Sequence, residues 1–376
     1  MRCSHNGLVD VAGQVELVFS GATVRTGNHV NLSAVRAEGE HLWLAGDETA
    51  TIERLVLDSP SAPTRGAGER SFVLADLVDL PGPPDEEADI EGIGRSGDWL
   101  WVVGSHSLTR KRVKARHGDE KAVKRLATIK RQANRYVIAR LAVEIGADGR
   151  PEPVRVAADG RRSALVGATG SEGLADLLRD DEHLAPFLVI PSKDNGLDVE
   201  GLAAHGDALY IGLRGPVLRG WAVVLEVLPV ADPADPARLA LGAFADGARY
   251  RKHFLDLGGL GVRDLCPDGD DLLVLAGPSM ALSGPVRVHR WHGAAGGTGS
   301  VVRGAEIGLE AELPHGDGVD HAEGIALLEP GDPLGARLLV VHDSPAPARR
   351  PTAHSLLADR VVVSSGQGST SPARMA

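Results

Sequence analysis

Three glutamates recur in one short motif and carry the clearest chemical pattern in the sequence. Each precedes a glycine and an apolar residue, in the segments Asp89-Ile-Glu-Gly-Ile, Asp198-Val-Glu-Gly-Leu and His321-Ala-Glu-Gly-Ile. If the copies meet around one axis, Glu91, Glu200 and Glu323 cannot all ionise unless a divalent cation or nearby arginines offset their charge. Since Ca²⁺ accepts about six to eight oxygen ligands, a ring of these carboxylates predicts a calcium site.

Two arginines occupy inward positions where other copies of the motif carry an acid or a serine. Arg214 and Arg263 could clamp an anionic ligand between two guanidinium groups. The alternative is that they neutralise the neighbouring Asp198 and Glu200. Both interpretations stay open from the sequence.

Two histidines are the candidate groups for moving protons. His106 and His321 follow or begin copies of the motif, and histidine titrates near neutral pH. The sequence contains 14 histidines, so each is weak evidence by itself.

A repeated β-hairpin is the element that must position these residues. The third position of the motif falls at residues 33, 91, 200, 263 and 323, and each copy then passes through a polar turn into an apolar run. The turn residues tolerate positive φ, and the Trp, Val, Ile and Leu of the runs favour strands. Because the start of one antiparallel strand faces the end of the next, further ligand-binding candidates should meet at one mouth of a central channel. These candidates are Asn31 opposite Asp47, Asp89 opposite Ser105, Asp198 opposite Arg214, and Asp343 near His321.

The spacing of the repeat predicts an all-β fold, a β-propeller of about five blades, with six as the alternative. Four short strands in roughly 60 residues make one blade. A longer second interval leaves room for a basic helical insertion at 108–135 in the second blade and for a second insertion at 160–184. We expect an N-terminal strand at 15–19 to complete the last blade. The prediction is a single domain over 1–364 with a disordered tail at 365–376.

The basic insertion contrasts with the rest of the chain. Residues 108–135 hold eleven Lys and Arg and two acids, a net charge of +9 in a chain whose total is −11. Apolar residues at three- and four-residue steps predict a helix over about 120–136. One interpretation is a solvated helix docked on the acidic remainder. The other is contact with RNA, an anionic membrane surface or a phosphorylated ligand.

Composition excludes several classes of protein. The net charge of −11 argues against nucleic-acid binding by the whole surface. Cys3 and Cys266 make no disulfide framework and indicate reduced thiols in a cytosol. Residues 1–20 lack the apolar core of a secretory signal, and no window approaches the roughly 18 apolar residues of a membrane span. We therefore expect a cytoplasmic protein, monomeric, without a transmembrane segment.

Several longer motifs resemble a known bacterial family. They are Asn31-Leu-Ser-Ala-Val-Arg, Asp89-Ile-Glu-Gly with Gly104-Ser-His-Ser-Leu, Leu213-Arg-Gly-Pro-Val-Leu-Arg-Gly and His321-Ala-Glu-Gly-Ile-Ala. Together, over about 28–344, they resemble the family catalogued as domain of unknown function 3616, and the repeat is also similar to phytase-like and esterase-like propellers. That similarity implies calcium held by acidic channel residues and hydrolysis of phosphate esters. Ser33 and Arg263 depart from the acidic pattern in two copies.

Two functions follow as hypotheses. The first is metal-assisted hydrolysis of an anionic, phosphoester-like small molecule, with a divalent cation, most simply Ca²⁺, on Glu91, Glu200 and Glu323. The alternative is a non-enzymatic propeller that binds a ligand or partner through the channel mouth or the basic helix. A structural interpretation stands beside both, in which the repeated acid accepts hydrogen bonds from the next blade and braces the axis.

Overall fold

Short β-strands are the main regular elements of the chain, and a computed structural model describes residues 11–167, 173–280, 282–297 and 300–365. The strands are β1 (Gly13–Val18), β2 (Leu32–Glu38), β3 (His41–Gly46), β4 (Thr51–Leu57), β5 (Arg65–Val73), β6 (Ile90–Ser96), β7 (Trp99–Gly104), β8 (Thr109–Arg110), β9 (Ile129–Lys130), β10 (Ile138–Ile145), β11 (Pro151–Val154), β12 (Ala164–Val166), β13 (Asp198–His205), β14 (Ala208–Leu218), β15 (Trp221–Val227), β16 (Pro229–Ala231), β17 (Arg238–Leu241), β18 (Arg251–Asp256), β19 (Gly261–Asp268), β20 (Asp271–Gly277), β21 (Val286–Trp291), β22 (Val301–Val302), β23 (Ile307–Leu313), β24 (His321–Leu327), β25 (Leu338–Asp343) and β26 (Ser355–Val361). The α-helices are α1 (Gly21–Thr26), α2 (Leu74–Leu77), α3 (Asp119–Leu126) and α4 (Leu174–Leu177). The fold is therefore all-β.

Five antiparallel hairpins match the five copies of the motif. They are β2–β3, β6–β7, β13–β14, β19–β20 and β24–β25. A third antiparallel strand extends each hairpin: β4, β10, β15, β21 and β26. Each copy of the motif therefore begins a separate antiparallel unit, as the sequence predicts.

The first strands of the hairpins contact one another in a closed cycle, from β2 to β6, β13, β19, β24 and back to β2. Glycine allows this close approach. A Cβ atom added to Gly92 would lie 2.6 Å from the Cβ of Leu202, and one added to Gly201 would lie 3.1 Å from the Cα of Asp264. The glycine of the Glu-Gly motif is thus required by backbone packing between neighbouring strands.

The apolar core lies between consecutive sheets rather than at one centre. Buried residues of the β2 and β6 units form one cluster, and each following pair of units forms another. The cycle ends with a cluster between the β24 and β2 units. This arrangement of sheets packed face to face around an axis is propeller-like.

The N-terminal strand completes the last unit. β1 pairs antiparallel with β26 from Gly13 opposite Arg360 to Val18 opposite Ser355. A short parallel pairing also joins β1 to β5 at Leu17 opposite Gly66. The predicted closure by an N-terminal strand is confirmed, with the strand at Gly13–Val18 instead of 15–19.

The two insertions differ from their predicted helical form. In the basic insertion, α3 ends at Leu126, because Ile129–Lys130 pairs with Thr109–Arg110 and Asn134 turns away to bond the carbonyl of Pro83. The predicted helix over 120–136 is therefore wrong beyond Leu126. The second insertion holds strand β12 and the single-turn helix α4. The predicted tail lies, from residue 366 on, outside the described residues.

No helix within the described ranges is long and apolar enough to cross a membrane.

Candidate functional site

A β-bulge interrupts every motif hairpin at the third position of the motif. The pairing register shifts there in each of the five hairpins. A bulge leaves one residue unpaired and redirects its side chain, and bulges are common beside functional sites. We call the five redirected residues the bulge ring: Ser33, Glu91, Glu200, Arg263 and Glu323. Strand alternation alone does not predict this redirection.

The starts of the first strands lie at one end of the ring, which we call the mouth. The Asp47 amide donates to the Asn31 carbonyl at 3.3 Å, and His321 pairs with Asp343. These pairings match the sequence prediction. Asp198 instead pairs with Gly215, because a second register shift follows it. The predicted pairing of Asp198 with Arg214 is therefore wrong at the backbone, although their side chains meet.

Two arginines neutralise part of the ring. Glu200 lies between them, with Oε1 2.6 Å from Nη1 of Arg214 and Oε2 3.0 Å from Nη1 of Arg263. Arg214 also pairs with Asp198, and Arg263 also pairs with Glu323. These four contacts are what the neutralising interpretation predicts. The two guanidinium groups do not stand open for an anion as an unpaired clamp would.

A third arginine comes from the end of the basic insertion. Arg135 forms ion pairs with Asp89 and Glu87, and its Nη1 donates to Oγ of Ser107 at 3.4 Å. The Ser105 and Ser107 hydroxyl groups are 2.9 Å apart in the same buried network. Sequence reasoning counted Arg135 only as one charge of the insertion and missed this role.

Glu91 is the ring acid that lacks a partner. It is 8% exposed, and no hydrogen bond or ion pair reaches its carboxyl group from the described part of the chain. Burial, and then the charges of Asp89 and Glu200, raise the pKa of Glu91 well above its ordinary value. Ser33, the neutral ring member, donates to the carbonyl of Ile90 at 2.5 Å and so braces the neighbouring strand.

The mouth holds carboxyl groups whose pKa values are raised to different extents. Burial, and then the charges of Asp89 and Asp343, raise the pKa of Asp47 to about 8. Burial also raises the pKa of Asp198, but Arg214 opposes the shift and holds it at about 6. Carboxyl groups with separated pKa values can divide the roles of general acid and general base.

The two predicted histidines have different surroundings. His106 is 2% exposed, its Nδ1–H donates to the Gly104 carbonyl at 2.9 Å, and burial lowers its pKa to about 4. Its ring edge faces Tyr136 at 5.7 Å, and its Nε2 has no partner within the described residues. Burial raises the pKa of Glu323, Arg263 is the main group that opposes this shift, and the nearby His321 opposes it more weakly. Of the two, His321 is therefore the one shown to interact with the ring.

A buried arginine that sequence reasoning missed closes the ring from the inside. Arg36 Nη2 donates to the carbonyls of Ile93, Leu202 and Leu265 at 2.9, 3.2 and 2.8 Å. These acceptors lie on three other first strands, so the guanidinium group fills the space between them. The repeat carries a signal for this residue, since the equivalent positions are the small residues Gly94, Ala203, Cys266 and Ala326.

The described residues contain no group of three or more His, Cys, Asp or Glu side chains already positioned to hold a metal ion together. Within the described residues, the mouth acids whose carboxyl groups form no hydrogen bond or ion pair are Glu91 and Asp47. They are the groups that could accept a cation. The calcium site on Glu91, Glu200 and Glu323 stays a prediction.

The five hairpins, arranged in a closed cycle around a ring of charged side chains, place the chain in an all-β, propeller-like class of protein. Within it, the chain belongs to the family described as "Protein of unknown function (DUF3616)", whose family model matches residues 31–359. The resemblance of the motifs to this family is confirmed, and the similarity to phytase-like and esterase-like propellers stays a prediction. No curated protein matches the chain.

Solved structures show only distant likeness. The chain is similar to the N-terminal domain of Nup170 from Chaetomium thermophilum, at 10% identity and a TM-score of 0.30, covering 98% of this chain and 45% of that one. It is also similar to a putative 6-phosphogluconolactonase from Bacteroides uniformis, at 14% identity and a TM-score of 0.29, covering 88% of this chain and 70% of that one. A putative 6-phosphogluconolactonase from Bacteroides fragilis is similar at 14% identity and a TM-score of 0.29, covering 96% of this chain and 98% of that one. Scores this low carry no argument about function.

Proposed function

We propose that this chain is a five-bladed β-propeller whose mouth binds a divalent cation together with an anionic small molecule. The cycle of five first strands and the apolar clusters between consecutive sheets support the blade count. In this arrangement the basic insertion at 108–135 belongs to the second blade. The bulge ring then encircles the axis, and Arg36 closes it on the inner side.

An excess of negative charge supports cation binding. Seven carboxyl groups interact at the mouth against three guanidinium groups, those of Arg135, Arg214 and Arg263. The seven belong to Asp47, Asp89, Glu91, Asp198, Glu200, Glu323 and Asp343. Carboxylates forced together in this way stay charged only when a cation offsets them, and otherwise keep protons.

The observation that carries the proposal is the buried Glu91 carboxyl group without a partner. A buried charge normally has a partner or coordinates a metal, so its environment suits an incoming cation. Ca²⁺ is the simplest choice for an all-oxygen site. Since no three protein ligands stand ready together among the described residues, oxygen atoms of the anionic ligand would complete the site, and cation and ligand would bind cooperatively.

Hydrolysis of a phosphoester-like ligand is the reaction that fits this site. A bound divalent cation would polarise the phosphoryl oxygen and make a water molecule more acidic. His321, beside Glu323, and the protonated Asp47 are the residues at the mouth that could move protons. Arg214 and Arg263 hold Glu200 in place between them.

Thermal unfolding with CaCl₂, with p-nitrophenyl phosphate and with both together tests the proposal. We expect the two together to stabilise the protein more than the sum of their separate effects, because each completes the site of the other. Glu91→Gln should remove this synergy. Glu53→Gln is a matched control, since Glu53 is a buried carboxyl group with a raised pKa that lies on β4, the third strand of its unit, and bonds Thr51. The absence of stabilisation by Ca²⁺, Mn²⁺ or Mg²⁺, with or without the ester, would reject the proposal.

A binding protein without catalysis is the second candidate. It is favoured by the engagement of both ring arginines in ion pairs and by the burial of His106. Release of p-nitrophenol by the wild type, lost in Glu200→Gln, would favour the hydrolase. Synergistic stabilisation without turnover of any phosphate ester would favour the binding protein.

A further inference from the structure

The basic arm, residues 108–135, carries an exposed apolar face that the proposed mouth site does not use. α3 spans Asp119–Leu126 and has no buried residue. Val123 is 66% exposed, Leu126 is 53% exposed and Ile129, on the following strand, is 44% exposed. Val123 and Leu126 are three residues apart, on one side of α3, and exposed aliphatic groups on one face in this way form a patch that another surface usually covers.

The side of α3 away from this face is basic. On a helical projection Lys121, Lys124 and Arg125 lie opposite Val123 and Leu126. Eight of the eleven basic residues of the arm have no carboxylate partner within the described chain. These eight are Lys111, Arg112, Lys114, Arg116, Lys121, Lys124, Arg125 and Lys130. The arm therefore presents uncompensated positive charge beside aliphatic groups.

The base of the arm is fixed while its far end projects. Leu108 bridges Pro191, Arg110 pairs with Asp194 at 2.8 Å, and Arg135 pairs with Asp89. β8 and β9 pair between these anchors and α3. The arm connects the end of β7 to the start of β10. Ile138, at the start of β10, pairs with Val103 near the end of β7, so both ends of the arm lie at the mouth end of these strands. Whatever covers the apolar face therefore lies on the mouth side of the molecule.

We infer that the basic arm docks on an anionic lipid bilayer. Short amphipathic segments bind such interfaces by shallow insertion of aliphatic groups, while each Lys or Arg adds attraction to anionic headgroups. Sites for single-stranded RNA stack bases on aromatic side chains, and the arm contains no Phe, Tyr or Trp. A stable protein interface buries about 800 Å² on each partner, far more than three aliphatic side chains supply.

Flotation of the full chain with lipid vesicles tests the inference. We expect at least about tenfold stronger binding to phosphatidylcholine vesicles containing phosphatidylserine than to phosphatidylcholine alone. Lys121→Glu/Lys124→Glu/Lys130→Glu should reduce that binding about tenfold or more. Val123→Ser/Leu126→Ser/Ile129→Ser should reduce it several-fold at unchanged net charge. All six positions are exposed, and unchanged thermal unfolding would verify that the variants are folded.

Matched controls separate the arm from general surface effects. Arg65→Glu/Arg303→Glu changes exposed charges elsewhere, and Val230→Ser/Leu309→Ser changes exposed aliphatic residues elsewhere. Both controls should bind vesicles as the wild type does. The inference fails if serine lipid does not enhance binding or if arm and control variants lose binding equally. It also fails if the arm binds labelled RNA or an acidic protein but no vesicle. Because the assay contains no divalent ion, the phosphodiester headgroups of the lipids cannot complete the proposed mouth site, and the outcome is independent of that site.

Discussion

The guanidinium group of Arg36 and the carboxylate of Asp264 face each other at 4.0 Å inside the cycle of first strands. Arg36 reaches three other first strands through their carbonyls, and Asp264 Oδ2 accepts a hydrogen bond from the Ile325 amide of the remaining strand at 2.8 Å. Two side chains thus connect all five first strands. They also close the inner side of the ring, so a ligand of the bulge ring must enter from the mouth.

Arg36→Met should destabilise the protein strongly. The substitution leaves buried carbonyls without a donor and Asp264 without a counter-charge, and breaking a buried ion pair costs about 3–5 kcal/mol. We expect the free energy of unfolding in urea to fall by about 3 kcal/mol or more. Arg36→Met/Asp264→Asn should cost less than the sum of the two single changes. Arg65→Met, at an exposed site, is the control, and an equal loss there would contradict this role for Arg36.

Glu91 and Glu200 should respond differently to the same substitution. Glu200→Gln removes the carboxylate between Arg214 and Arg263, so we expect a loss of about 2–4 kcal/mol. Glu91→Gln removes a buried acid without a partner, so we expect no loss at pH 8, or a gain of about 1 kcal/mol. Urea unfolding of both variants measures the difference. Equal losses would show that Glu91 has a partner in solution.

Much of this arrangement follows from the sequence. The repeated motif predicted five hairpins, an N-terminal closing strand and a mouth where acids and arginines meet. Those predictions succeeded because they rest on local turns and on antiparallel pairing, which short segments encode by themselves. The neutralising role of Arg214 and Arg263 was also open to sequence reasoning, since opposite charges stood at neighbouring inward positions.

The rest depends on contacts between distant segments. Arg36 and Asp264 replace small residues of the repeat in two different copies, and only the folded cycle brings them together. The bulges arise from pairing register, which residue types alone do not reveal. The predicted helix over 120–136 ended early, because the pairing of Ile129–Lys130 and the anchoring of Asn134 override helical periodicity.

The protonated Asp47 should make stability fall as the pH rises. Its pKa is raised from 3.8 to about 8, so the folded protein binds more protons than the unfolded chain between these values. The free energy of unfolding must then decrease with pH across about 4–8. Asp47→Asn should lack this contribution. Its free energy of unfolding should therefore exceed that of the wild type by an amount that grows from pH 5 and reaches about 1–3 kcal/mol at pH 8.

Urea unfolding at pH 5, 6, 7 and 8 measures this trend. Asp58→Asn is the control of opposite sign. Although burial raises the pKa of Asp58, hydrogen bonds from Thr64 and Arg65 hold it below its ordinary value. The difference in the free energy of unfolding between Asp58→Asn and the wild type should therefore be constant above pH 5. An advantage of Asp47→Asn that does not change with pH would show that Asp47 is ionised throughout.

Leu17 tests whether the N-terminal strand is part of the cooperative fold. Leu17 is 1% exposed in the apolar cluster between the first and last motif units, where it packs with residues such as Leu32 and Leu356. Leu17→Ala should lower the free energy of unfolding by about 2–4 kcal/mol through lost burial and a residual cavity. Glu16→Gln, the neighbouring partly exposed position, should change it by less than about 0.5 kcal/mol. If both variants unfold at the wild-type urea concentration, β1 does not complete the last unit in solution.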